Sequence, residues 1–276
     1  AYAIYEVHKK EKSLSILSDV YGQELKERES TTLYDLYFGY NYEQGLKEFQ
    51  KAFQVKNQEK VFGYTSWYNY YQNINEEIIL RDLEALDSRF NLFQIDDGYE
   101  TFVGDWLDID PVKFPNGLKP IVDKIHQRGF KAGIWLAPFV AETKSQTFQK
   151  HQDWFKLNED GTLAKCGGNW SGFYALDLGK EEVRNYITKC LSYYLELGFD
   201  FFKLDFLYAS MIASTPGKSR AMMSNESYQL LRDVLKDKLI LGCGANCFSS
   251  YQKFDYLRVG PDVSLIFDDV WFMRNM

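Results

Sequence analysis

Histidine and cysteine are scarce in this chain, with three His and four Cys among 276 residues. The histidines, His8, His126 and His151, are scattered, and none stands at ligand spacing from a cysteine or an acid. No metal is therefore expected. The cysteines at 166, 190, 243 and 247 match no zinc spacing, and a disulfide framework is unusual in a chain this long. Reduced thiols in a cytoplasmic protein are the expectation. Positive charge is in deficit: 32 Lys and Arg against 39 Asp and Glu leave a net charge of −7. That disfavours a nucleic-acid partner, which needs a basic face, and gives no reason to expect an anionic membrane partner. No apolar run reaches the ~20 residues of a bilayer span. The opening Ala1-Tyr2-Ala3-Ile4-Tyr5-Glu6 has neither the basic start nor the apolar stretch of a signal peptide. The first residue is not Met, so a missing N-terminus, and with it export, stays open. Gly242-x-Gly244 lacks the third glycine of a dinucleotide fingerprint, and no cofactor is expected.

Aromatic residues, by contrast, make up 17% of the chain. Their faces serve as stacking platforms for sugar rings, and they also fill cores. Composition therefore leans toward a carbohydrate ligand without deciding it.

Two regions differ in pattern. Residues 1–59 hold short alternating segments such as Thr32–Phe38, which read as strands. They are followed by a helical stretch, Tyr42 to Phe53, with Leu46, Phe49 and Phe53 on one face. This region is expected to be the end of a β-domain with a linking helix. From Lys60 a strand-then-helix rhythm sets in. Strands are predicted at 61–64, 92–95, 132–136, 199–204, 239–241 and 256–258. The helices between them line up Ile79, Leu83, Leu86 and Phe90, then Leu118, Ile121, Val122 and Ile125, then Val183, Ile187, Leu191 and Leu195, then Leu231, Val234 and Leu235. Apolar strands alternating with amphipathic helices indicate a parallel sheet covered by helices. Trp67, Asp96, Trp135, Asp205, Cys243 and Asp262 stand at successive strand ends. A closed barrel gathers such ends at one mouth, whereas an open doubly wound sheet gathers only some of them. The expected fold class is thus α/β, a (β/α)8 TIM barrel. Six units are countable before Met276 where eight are required, so residues 60–276 are expected to be a barrel incomplete at its C-terminus.

The candidate chemistry is acidic. Asp205 ends one strand in Phe202-Lys203-Leu204-Asp205, and Asp262 follows another in Arg258-Val259-Gly260-Pro261-Asp262. Two carboxylates facing one pocket suit an acid/base pair, although Asp262 could equally cap a helix. Lys203 alternates with Asp205 and faces the same side. There it would keep the carboxylate ionised. The adjacent Asp96 and Asp97, in Gln94-Ile95-Asp96-Asp97-Gly98-Tyr99, could accept hydrogen bonds from vicinal hydroxyls or merely punctuate a turn. Trp67 and Trp135 could form apolar walls or belong to the core. Arg258 could hold substrate hydroxyls or tune an acid. Cys243 has no histidine partner that would make it a nucleophile.

Eight strings in order resemble the α-galactosidases of glycoside hydrolase family 36, the melibiases. They are Gly63-Tyr64-Thr65-Ser66-Trp67-Tyr68, Phe93 to Tyr99, Gly104-Asp105-Trp106, Gly133 to Phe139, Tyr174 to Leu178, Phe202 to Leu207, Leu241-Gly242-Cys243-Gly244 and Arg258 to Asp262. The resemblance spans residues 60–265. It implies a barrel behind a β-sandwich, whose end would be residues 1–59. It implies that Asp205 is the nucleophile and Asp262 the acid/base of a retaining α-galactosidase. It further implies that Asp96 and Asp97 bind galactose hydroxyls, with Trp67, Trp135, Lys203, Cys243 and Arg258 completing the sugar pocket. The expected partner is an α-galactoside oligosaccharide, of melibiose or raffinose type, with a homo-oligomer left open. Three alternatives stand beside this reading. One is a galactosyltransferase of the same family, another an inactive barrel fragment that at most binds sugar. The third is an unrelated barrel with a divalent metal at Asp96, Asp97 and Asp205.

Overall fold

In this computed structural model, which describes residues 3–18, 27, 41–52, 58–260 and 262, the alternation of strand and helix is realised as a parallel sheet. Ahead of it stands an antiparallel hairpin of β1 (Ala3–His8) and β2 (Ser13–Ser18), with Ala3 opposite Ser18 and His8 opposite Ser13. A helix, α1 (Tyr42–Ala52), follows. The strand expected at Thr32–Phe38 lies outside the described residues, as does Phe53.

The body then runs β3 (Gly63–Thr65), a single turn α2 (Trp67–Tyr70), α3 (Glu76–Ala85), β4 (Leu92–Ile95), α4 (Lys119–Gln127) and β5 (Lys131–Leu136). An excursion of β6 (Val140–Glu142), α5 (Gln146–Lys150), β7 (Lys165–Gly167) and β8 (Phe173–Ala175) folds as its own three-stranded antiparallel sheet. The main sequence resumes with α6 (Glu181–Leu197), β9 (Phe201–Leu204), α7 (Arg220–Leu235), β10 (Leu239–Gly242) and β11 (Tyr256–Leu257).

Local chemistry sets the boundaries. The Asn75 side chain accepts from the Ile78 amide and opens α3, Ser145 does the same for α5, and Ser219 for α7. Gly198, at φ 99°, closes α6 in the left-handed conformation that favours glycine. The helices bury the faces their spacing predicts: Ile79 and Leu83; Ile121, Val122 and Ile125; Val183, Ile187 and Leu191; Leu231 and Leu235.

The six body strands lie in the order β3-β4-β5-β9-β10-β11, every neighbouring pair parallel. Spatial order equals chain order. An open doubly wound sheet would reverse direction at a switch point, and this sheet does not. The arrangement is that of six consecutive strand units of a (β/α)8 barrel. Because all six run the same way, their C-terminal ends share one edge.

Candidate active site

The residues after each strand are fixed by continuing the ladder one step. The Ser66 amide donates to Gln94 O (3.3 Å), Asp205 to Leu136 O (2.8 Å), Cys243 to Leu204 O (2.8 Å) and Arg258 to Gly242 O (3.0 Å). Strand geometry thereby holds the chemistry at the shared edge. There a tight cavity of about 60 Å³ opens, lined by Trp67, Asp96, Asp97, Trp135, Asn169, Trp170, Lys203, Asp205, Phe206 and Asp262. Seven of the nine site residues expected from sequence are in that lining. Arg258 and Cys243 are outside it, Cys243 fully buried.

Asp205 and Asp262 come together through Arg258. One guanidinium nitrogen lies 3.8 Å from Asp205 Oδ1, and the other pairs with Asp262 Oδ1. Asp205 is nearly buried, while the Asp262 side chain is half exposed. Asp205 Oδ1 also accepts from the Phe206 amide at 2.8 Å, and Oδ2 from Trp135 Nε1 at 3.4 Å. Phe206 has φ 54°. A bulky residue there is strained, and strain of this kind gathers at functional sites.

Lys203 has a partner, Asp96, that the sequence expectation did not name. It shares a face with Asp205, but its Nζ reaches across β5 to Asp96 Oδ2, 2.8 Å away, with both side chains buried. Its long side chain spans to the next strand but one, which a reading confined to β9 could not anticipate. Burial works against the Lys203 charge. The Asp96 carboxylate, with Asp205 beyond it, outweighs burial and raises the ammonium above its ordinary value. Asp96 Oδ2 also accepts from Gln94 Nε2 (2.6 Å) and Thr65 Oγ1 (3.2 Å). Among the described residues no three His, Cys, Asp or Glu are grouped to hold a metal ion.

Asp97 is held differently. Gln72 Nε2 donates to both its oxygens (3.0 and 3.2 Å), and Trp170 Nε1 donates to Oδ2 (2.9 Å). Gly98 makes the first contact possible. At φ 117°, a Cβ there would meet the Gln72 backbone at 2.6 Å, so only glycine lets that segment approach.

Trp67 is displaced from its expected strand end into the turn α2. It still borders the cavity, and the preceding Ser66 accepts the Asp96 amide at 2.9 Å. Trp135 is buried at the wall, its ring packed between Trp106 and Trp170. Burial pushes the Cys243 thiol up to about 12, an inert sulfur.

Sequence reasoning missed Asn169, Trp170 and Phe206. The first two come from the β7–β8 excursion, where Glu142 ties down Ser171 through its amide and hydroxyl, at 3.2 and 2.6 Å. The available signal was the run Gly167-Gly168-Asn169-Trp170-Ser171-Gly172, an aromatic presented on a glycine-flanked loop.

A profile of the melibiase family matches residues 40–235. The chain belongs to the melibiase family. An α-galactosidase of Pediococcus pentosaceus is 32% identical over 142 residues, covering 49% of this chain and 19% of that protein. One from Escherichia coli is 28% identical over 200 residues, covering 69% and 28%. The chain therefore spans less than a third of these melibiase-like relatives. Among solved structures, the Thermus thermophilus α-galactosidase in complex with stachyose superposes with a TM-score of 0.67 at 37% identity, over 73% of this chain and 44% of that one. Trp67, Asp96, Asp97, Trp135, Lys203 and Asp205 fall inside the matched melibiase span, and Cys243, Arg258 and Asp262 lie beyond it.

Proposed function

We propose that this chain carries the catalytic face of a retaining α-galactosidase, with residues 1–59 as the end of a preceding β-domain and 60–276 as the barrel. The observation that carries this reading is the convergence of Asp205 and Asp262 on one cavity, bridged by Arg258. It is supported by family membership and by the stachyose complex of the Thermus relative.

In this reading a terminal α-galactosyl ring sits against Trp135 and Trp170, its hydroxyls on Asp96, Asp97 and Lys203. Asp205, held in place by the Phe206 amide and Trp135 Nε1, attacks the anomeric carbon. Asp262 protonates the departing glycosidic oxygen. A β-galactosyl-enzyme forms on Asp205. Asp262 then takes a proton from water, which attacks the same carbon and restores the α configuration. The substrate class is a terminal α-galactoside of melibiose or raffinose type.

The test uses the protein as encoded and an aryl α-galactoside. Asp205→Asn and Asp262→Asn should each lower kcat/KM by orders of magnitude. With azide, Asp205→Gly should yield the β-galactosyl azide and Asp262→Gly the α-anomer, because azide enters from the face that the missing carboxylate vacates. Near-wild-type turnover in either Asn variant refutes the assignment. So does release of β-galactose as the first anomer seen by NMR, the outcome of an inverting mechanism.

A further inference from the structure

Beneath Asp97 lies a carboxyl group that the mechanism above leaves unused. Glu100 is fully enclosed, 4% exposed. Its Oε2 accepts from the Gly98 amide at 3.3 Å, and its Oε1 is buried with no donor among the described residues. An ionised carboxylate in that position would leave a buried charge half satisfied, which is costly. The side chain that acts most strongly on Glu100 is Asp97, three residues earlier, and that bare Oε1 is the atom free to form a bond to it. Two carboxylates offer only acceptors to each other, so that bond requires a proton. Burial, then the Asp97 charge, push Glu100 well above its ordinary value. Asp97 already has Gln72 and Trp170 donating to it and is the better home for the negative charge.

We propose that Glu100 is a positioning residue: as a neutral acid, it donates a hydrogen bond to Asp97 and fixes that carboxylate for recognition of a sugar hydroxyl. The bond completes a three-sided clamp of Gln72, Trp170 and Glu100 around Asp97. The other titratable groups facing Glu100 are Tyr99 and Tyr194, both buried and neutral, with Asp96 acting on it through Asp97. Lys113 spends its ammonium on the carbonyls of Gln72 and Gly98, 3.0 Å each. The kinetic role rests on the α-galactosidase reading; the hydrogen bond itself does not.

Glu100→Gln keeps a donor toward Asp97, whereas Glu100→Leu removes it at similar volume. With the aryl α-galactoside, Glu100→Leu should raise KM about 10–100-fold, the range for losing a hydrogen bond to a charged group. Glu100→Gln should stay within a few-fold of wild type. A second readout needs no substrate. The unfolded chain releases the Glu100 proton near its ordinary value of 4.5, while the folded chain holds it to higher pH. Wild-type stability contributed by this group is therefore present at low pH and lost as pH rises above that value. The amide variant has no such loss, so Glu100→Gln should gain in Tm relative to wild type as pH rises above 4.5. A flat Tm difference, or equal KM in the Gln and Leu variants, overturns the proposal. Absence of galactoside hydrolysis in wild type would sink the enzymatic reading alone, because the Tm comparison would still judge the bond. Should Glu100→Leu fail to fold, the pH profile of Glu100→Gln decides.

Discussion

The Lys203–Asp96 pair is the buried ion pair on which the site is built. Its two side chains come from strands separated by β5, so it staples the sheet as well as the cavity. Breaking such a pair from one side leaves an uncompensated charge, at a cost of about 3–5 kcal/mol. Lys203→Met should lower stability by that order in urea denaturation. The double variant Lys203→Met/Asp96→Asn should lose clearly less than the sum of the two singles, since the second change removes the stranded charge. Additive losses would show that the two groups do not depend on each other.

At the scale of the element, the excursion after β5 is what converts a bare strand edge into a pocket. Asp105 accepts from the amides of Gln146 and Thr147 (2.7 and 2.9 Å) and so anchors the first turn of α5 to the loop after β4. Trp170 has φ 53° and reaches back to Asp97, 73 positions away in sequence. On the outer layer the ordinary rules of helix termini apply. Asn75 satisfies the Ile78 amide at 2.8 Å, so Asn75→Ala should cost about 1 kcal/mol without changing KM. Urea denaturation together with galactoside kinetics checks both halves. A KM change would mean that α3 communicates with the cavity through the Gln72 segment.

For the whole molecule, burial divides the four thiols. Cys166, Cys190 and Cys243 are each pushed up to about 12, chiefly by burial, while Cys247 is exposed. Since the thiolate is the reactive form, an aromatic disulfide reagent near neutral pH should modify one thiol quickly. The other three should follow only as the chain unfolds, at a rate that tracks denaturant. Rapid modification of Cys190 or Cys243 in the native protein would mean that these thiols are not enclosed in the core. No helix among the described residues is long and apolar enough to cross a membrane.

Period and punctuation in the sequence determined the six strands, the helices between them and the residues at each strand's C-terminal end. An apolar run marks a strand buried on both faces, and its terminal residue can be read without knowing its neighbours. In this way Trp67, Asp96, Trp135, Asp205, Cys243 and Asp262 were legible as strand-end residues, and the family resemblance added Asp97, Lys203 and Arg258 to the pocket. The tertiary structure alone decided the partners. Lys203 reached Asp96 as well as facing Asp205 because a long side chain crosses a strand that sequence spacing does not measure. Trp170 joined the wall from an irregular loop whose residues follow no period. Glu100 became a neutral acid only because Asp97, Tyr99 and Tyr194 enclose it together. Proton affinity depends on the charges and solvent that surround a group, and those are fixed by which distant segments pack against it.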